Sequence, residues 1–271
     1  MTSRAERTKA SLPSYDAPPI NEVAFGVQFP PIQGLVLPHF GLFWSEIRDK
    51  YTRCEHAAPV LRPGEEPYLD PATGVPWPRI WFTTADGHAL VQLQIDRFLY
   101  NWRMTPEGGI YPRFPALFET FKENLSRYQG FLSREKLPPV EPREFELTYI
   151  NLILQGDAWQ TTSDLDKVFR DFPWRRTKAR FLSPPTRIDW GATFEIPEAM
   201  GTLSVRVRPA LRRTDQKPLM GLELTVRGSG GDYSREGTEK WFSLAHEWIV
   251  RGFADLTTEQ AQTRVWHRKS D

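Results

Sequence analysis

The sequence predicts an α+β protein made of two tandem β-α-β-β-β-α halves. Each half is a curved antiparallel sheet carrying one long helix, with both long helices on one face in a saddle-like or helix-grip-like layout. Three observations carry this prediction. Residues 79–132 read as a strand hairpin, a bent strand and one long amphipathic helix. The same order of patterns begins again at Glu144 and ends in a second long helix around Trp241–Leu256. Most of the strand patterns alternate apolar and polar residues, as a sheet with one buried face requires.

The elements follow in order. Met1–Pro19 is polar and contains prolines, and reads as a disordered or extended lead-in. Residues 20–132 form the first half. Its first strand, Asn21–Phe29, alternates Val23, Phe25, Val27 and Phe29 against Glu22, Ala24, Gly26 and Gln28, and Pro30-Pro31 stops it. Phe40, Phe43, Trp44 and Ile47 then recur at helical spacing. Tyr51–Pro78 holds six prolines and few apolar runs, so it reads as a surface excursion.

Arg79–Thr84 is β-branched and aromatic, and Asp86-Gly87 supplies a tight hairpin turn. On the return, Val91, Leu93 and Ile95 are apolar on odd numbers, whereas Phe98, Tyr100 and Trp102 are apolar on even numbers. Such a slip in phase requires a bulge or a tight turn near Asp96-Arg97. Phe114, Leu117, Phe118, Phe121, Leu125 and Tyr128 predict the long helix, closed by Gly130 and Pro138-Pro139.

Residues 133–143 read as a linker and residues 144–271 as the second half. The expected order there is a strand at Glu144–Leu154, a short helix at Ser163–Phe172, and strands at Thr186–Ile196, Thr202–Pro209 and Leu219–Arg227. A helix lined by Trp241, Leu244, Ala245, Trp248, Ile249 and Leu256 follows.

Composition narrows the function. The chain has 271 residues, with 35 Lys and Arg against 34 Asp and Glu, a balance that argues against a protein built to coat nucleic acid. Ten tryptophans supply ample core material. No apolar run approaches the roughly 20 residues of a membrane helix. Met1–Ala10 lacks a hydrophobic signal core, and the single cysteine, Cys54, excludes an internal disulfide framework. A soluble, cytoplasmic protein without membrane insertion is expected.

Several stretches resemble a family of uncharacterised, sporadically distributed bacterial proteins of about this length. They are Pro18–Val23 running into Gly26–Phe29, Phe43-Trp44, Leu93–Arg103 with Tyr111-Pro112, and His246–Phe253 on to Trp266. No activity is established for that family. Its patchy distribution implies mobile, accessory or host-defence genes.

Two polar constellations are candidates for function. Asp96, Arg97, Asn101 and Arg103 form the densest polar set on an apolar background. They read either as a ligand pocket, the arginines offering bidentate donors to a carboxylate or phosphate, or as a buried ion pair and amide that stabilise the bend. The structural reading is the expected one. Arg175, Arg176, Lys178, Arg180 and Arg187 fall in a run without an acid, and Arg206, Arg208, Arg212, Arg213 and Arg227 follow. They read either as a surface for an anionic partner, with Trp174 and Trp190 available to stack on bases, or as a solvated loop and sheet rim.

Catalytic and metal signatures are lacking. His246-Glu247 is followed by Val250, where a zinc-protease helix needs a second histidine. Cys54 and His56 have no partner pair nearby, and no Gly-x-Ser-x-Gly elbow occurs. Gly228–Gly231 lacks the Lys-Ser/Thr ending of a phosphate loop. No cofactor, metal or catalytic residue is expected. The reading is a non-enzymatic binding or interaction protein working with a protein partner encoded beside it. Nucleic-acid binding through the basic second half is the first rival. A small-molecule or lipid site between the sheet and the Phe114–Tyr128 helix is the second.

Overall fold

The computed structural model describes residues 11–61, 64–71, 73–172, 181–183 and 185–269. In chain order the elements are β1 (Ile20–Gln28), α1 (Leu37–Ile47), β2 (Arg53–Ala57), β3 (Arg79–Thr83), β4 (Ala89–Gln94), β5 (Arg97–Arg103), α2 (Phe114–Arg134) and β6 (Glu144–Leu154). Then come a short 3-10 helix (Thr162–Lys167), β7 (Trp190–Ile196), β8 (Gly201–Leu211), β9 (Pro218–Gly228), α3 (Arg235–Leu256) and α4 (Glu259–Arg264). Among the described residues the strands form an open antiparallel sheet of nine, in the order β2-β3-β4-β5-β1-β6-β9-β8-β7. The protein is therefore α+β, as its patterning predicts.

The chain divides into two compact units. One comprises Glu22–Thr148 with Arg227–Thr238, the other Met1–Asn21, Tyr149–Val226 and Glu239–Asp271. In the first, the odd residues of β1 (Val23, Phe25, Val27), Phe98 and Tyr100 of β5, Leu93 and Val91 of β4, and Phe82 of β3 pair across the register and face α2. Phe25 is fully buried, with ring centroids of Phe114, Phe118 and Phe121 at 5.8, 5.9 and 5.4 Å. Phe43 of α1 closes the other end, 5.3 Å from Tyr128 and 6.0 Å from Phe82. Each such ring contributes about 1.5–3 kcal/mol by leaving water. These rings pack between the sheet and α2.

The phase slip has a simple cause. Gln94 pairs with Arg97 and Leu93 with Phe98, so Ile95 and Asp96 are a two-residue turn between separate strands and no bulge is needed. A turn of even length puts an odd-numbered residue opposite an even-numbered one on the same face. The Asp86-Gly87 hairpin also forms, with Gly87 at φ 78° and its N–H donating to the Thr84 carbonyl.

Several expectations need correction. Tyr51–Pro78 is more than a surface excursion, because it contains β2 and packs Trp77 into the core. The α2 helix runs through Gly130 to Arg134 and ends where Lys136 turns left-handed at φ 56°. The short helix of the second half ends at Lys167, well before Phe172. Described residues of the lead-in are ordered against the tail. Tyr15 is buried, its hydroxyl donates to Gln262 Oε1 at 3.2 Å, and Asp16 N–H donates to the His267 carbonyl.

In the second unit, Leu203, Val205 and Val207 of β8 alternate with Ser204, Arg206 and Arg208, as read from the sequence. Buried Leu222, Leu224 and Ile249 belong to the same core. The α3 helix comes very close to the sheet at Gly252, where an added Cβ would lie 3.1 Å from Leu203 Cδ2. Among the described residues, no helix is long and apolar enough to cross a membrane.

Candidate functional site

Parity puts every even residue of β1, every odd residue of β3 and β5, and every even residue of β4 on the sheet face opposite α2. That face is polar and mostly dry. A hydrogen-bonded chain crosses it diagonally. Arg79 Nη1 donates to Gln92 Oε1 at 3.0 Å, Gln92 Nε2 to Asn101 Oδ1 at 2.6 Å, and Asn101 Nδ2 to Glu22 Oε1 at 2.6 Å. A cation thus communicates with a carboxylate through two amides, each donating onward. Gln92 and Asn101 are both buried, so the amides satisfy each other where water does not reach.

Beside this chain, Arg97 is closed off. Its Nε and one terminal nitrogen grip Asp96 at 3.1 and 2.9 Å, and that terminal nitrogen also reaches Glu65 at 3.1 Å. Burial works against its charge, but Asp96 and then Glu65 outweigh burial and hold its pKa above the ordinary value. Gln94 pairs with the backbone of Val60 through both ends of its amide, at 2.9 and 3.3 Å, and so ties the Tyr51–Pro78 segment over the face.

The four residues expected to act together therefore separate. Asp96, Arg97 and Asn101 are each bound to side chains of the chain itself. Arg103 is different. Its Nε donates to the Gly87 carbonyl at 3.1 Å and its guanidinium lies 5.7 Å from the Trp81 ring, with no carboxylate in ion-pair range among the described residues. Arg79 and Trp81 share this position, and the sequence did not single them out. Their signal was odd parity on β3, where Trp81 stands opposite Gln92 and Arg79 donates to it.

Of the basic set, Arg175, Arg176, Lys178, Arg180 and Trp174 lie outside the described residues. Arg206 and Arg208 are exposed on β8. Asp189 accepts from Arg187 at 3.3 Å and lies 3.5 Å from Arg208, Asp215 binds Arg212, and Glu146 binds Arg227 at 2.6 Å. Several of these cations are therefore already paired with acids. His246 packs 6.1 Å from the Tyr149 ring, and burial pushes its pKa down to about 4. Among the described residues, no group of three or more His, Cys, Asp or Glu is arranged to hold a metal.

The second unit carries a groove that no motif announced. It is about 1,130 Å³ and lies between one flank of α3 and the end of β7 with the turn that follows. Leu203, Leu244, Trp248 and Leu256 give it apolar surface, and Phe194 stands at its edge, 43% exposed. Five carboxylates, Asp171, Glu195, Glu198, Glu247 and Asp255, line it against two cations, Lys240 and Arg251. Arg251 is itself bound to Glu247 at 2.8 Å.

The turn forming one lip is held rather than loose. Trp241, buried at the start of α3, donates its indole N–H to the Met200 carbonyl at 2.9 Å. Glu198 and Ala199 stand in left-handed backbone at φ 62° and 54°. That conformation disfavours residues with a Cβ, so the surrounding structure must enforce it.

No family profile matches the chain, and no curated protein and no solved structure does either.

Proposed function

We propose that the protein is a non-enzymatic binding protein that takes a lysine- or arginine-rich segment of a protein partner into the groove between β7 and α3. The observation that carries this reading is the groove's character, roomy, apolar inside and ringed by five carboxylates against two cations. Apolar surface supplies affinity when it is covered, and complementary charge supplies orientation and selectivity. The anchored Met200 turn supports a preformed site, which lowers the ordering cost of binding.

The two halves are tandem copies in this reading. Support comes from their matching strand orders, β3-β4-β5-β1 in one and β7-β8-β9-β6 in the other, each with a long helix after the meander. The resemblance to sporadically distributed bacterial proteins supports an accessory or host-defence role with a partner encoded nearby. The exposed thiol of Cys54 fits a reducing, cytoplasmic setting.

A capture experiment from the native host, split into nuclease-treated and untreated halves, tests this function. The expected result is one protein partner with a basic segment, retained after nuclease. Its recovery should fall by about tenfold or more when exposed Glu195 and Glu198 are both changed to Lys. Nucleic acid retained instead, and released by high salt, would favour the basic-surface rival.

A further inference from the structure

The polar face of β3, β4 and β5 holds a second site, and Arg97 is the control for recognising it. Arg97 lies on that face with Asp96 and Glu65 on its guanidinium. Arg79 and Arg103 lie on the same face with no carboxylate in ion-pair range among the described residues. Their hydrogen bonds go to neutral acceptors, Gln92 Oε1 for Arg79 and the Gly87 carbonyl for Arg103. Both guanidiniums lie against one indole, 5.2 and 5.7 Å from the Trp81 ring centroid. Each cation is thus half-buried with only neutral acceptors and an aromatic ring to offset its charge.

Two buried donors belong to the same neighbouring pair of residues. Arg79 Nε and Trp81 Nε1 have no acceptor among the described residues. Native proteins pair almost all such groups, and exceptions concentrate where something else binds. Nearby acids do not fill the role. Glu22 stands opposite Arg103 in register but accepts from Asn101. Glu55 stands opposite Trp81 and is exposed. Asp86, in the hairpin turn, is engaged by the Thr84 hydroxyl and the His88 N–H. Burial, and then the proximity of Arg97, pull the Arg79 pKa below its ordinary value, with Glu22 acting in the opposite direction.

We infer that Arg79, Trp81 and Arg103 form a binding site for the oxyanion group of a small molecule, a carboxylate or a phosphate. A guanidinium presents parallel N–H donors that match two oxygens of such a group, and the indole adds a third direction. All three residues are partly open to solvent. The site uses none of the groove residues, so either proposal can fail alone.

Isothermal titration of the full chain with inorganic phosphate, and separately with acetate, tests this against a chloride control of equal ionic strength. One saturable site is expected for at least one of the two anions. Arg79→Gln and Arg103→Gln should each weaken it by about tenfold or more. Trp81→Phe, which keeps a ring and removes the N–H, should weaken it several-fold. Tighter phosphate assigns a phosphorylated ligand, and tighter acetate a carboxylate. Saturable heat from neither anion, or binding unchanged in all three variants, would overturn the site. Circular dichroism checks each fold, and if the arginine variants do not fold, Trp81→Phe decides.

Discussion

His246 is the residue whose burial has the most direct solution consequence. Its folded pKa is pushed from 6.5 down to about 4, so the folded chain keeps it neutral while the unfolded chain takes up a proton. Stability is then fully present above pH 6.5, the unfolded value, and is lost as pH falls towards 4. The loss is on the order of 3 kcal/mol from this group. His246→Gln should lower stability at pH 7 yet flatten the slope between pH 6.5 and 4, read by urea unfolding across that window. An unchanged slope would contradict the assignment. At this scale the sequence was informative where partners are neighbours and uninformative where they are distant. Asp96 and Arg97 are adjacent in the chain, and their pairing was readable. Glu65 lies 32 residues from Arg97 and Glu22 lies 79 from Asn101, so the bonds that engage those side chains rest on tertiary contacts that no local pattern encodes.

Among elements, those with alternating or helical apolar patterns were legible, and those without were not. The strands β1, β4, β5, β8 and β9 bury alternate residues or whole runs and declared themselves. The edge strand β2, Arg-Cys-Glu-His-Ala, buries none of its residues, so it carries no pattern to read. The short helix stopped early because its residues form a tight 3-10 turn, its N-terminus capped where Asp164 accepts from the Thr161 N–H. The fit of α3 to the sheet depends on one small residue. Gly252→Val would drive methyl groups into Leu203, already 3.1 Å from the position of an added Cβ, and should cost about 1–3 kcal/mol in thermal or urea unfolding. A variant as stable as wild type would mean that the helix can lift off the sheet cheaply.

For the whole molecule, the α+β class and the antiparallel sheet followed from sequence, whereas the groove did not. Its lining comes from Asp171, the end of β7, the turn at Pro197–Met200, Leu203 and one flank of α3, with acids spread over 85 residues of chain. Only the fold gathers them, and as isolated surface acids they have no motif. The most direct test of binding in this groove is photocrosslinking in the native host from Phe194→benzoylphenylalanine, with Tyr68→benzoylphenylalanine as the control. Both positions are exposed, at 43% and 45%. A groove that binds a basic partner should yield a Phe194-specific crosslink to one lysine- or arginine-rich protein segment, lost when Glu195 and Glu198 are reversed to Lys. Equal crosslinks from both positions, or a Phe194 crosslink that survives the charge reversal, would contradict it.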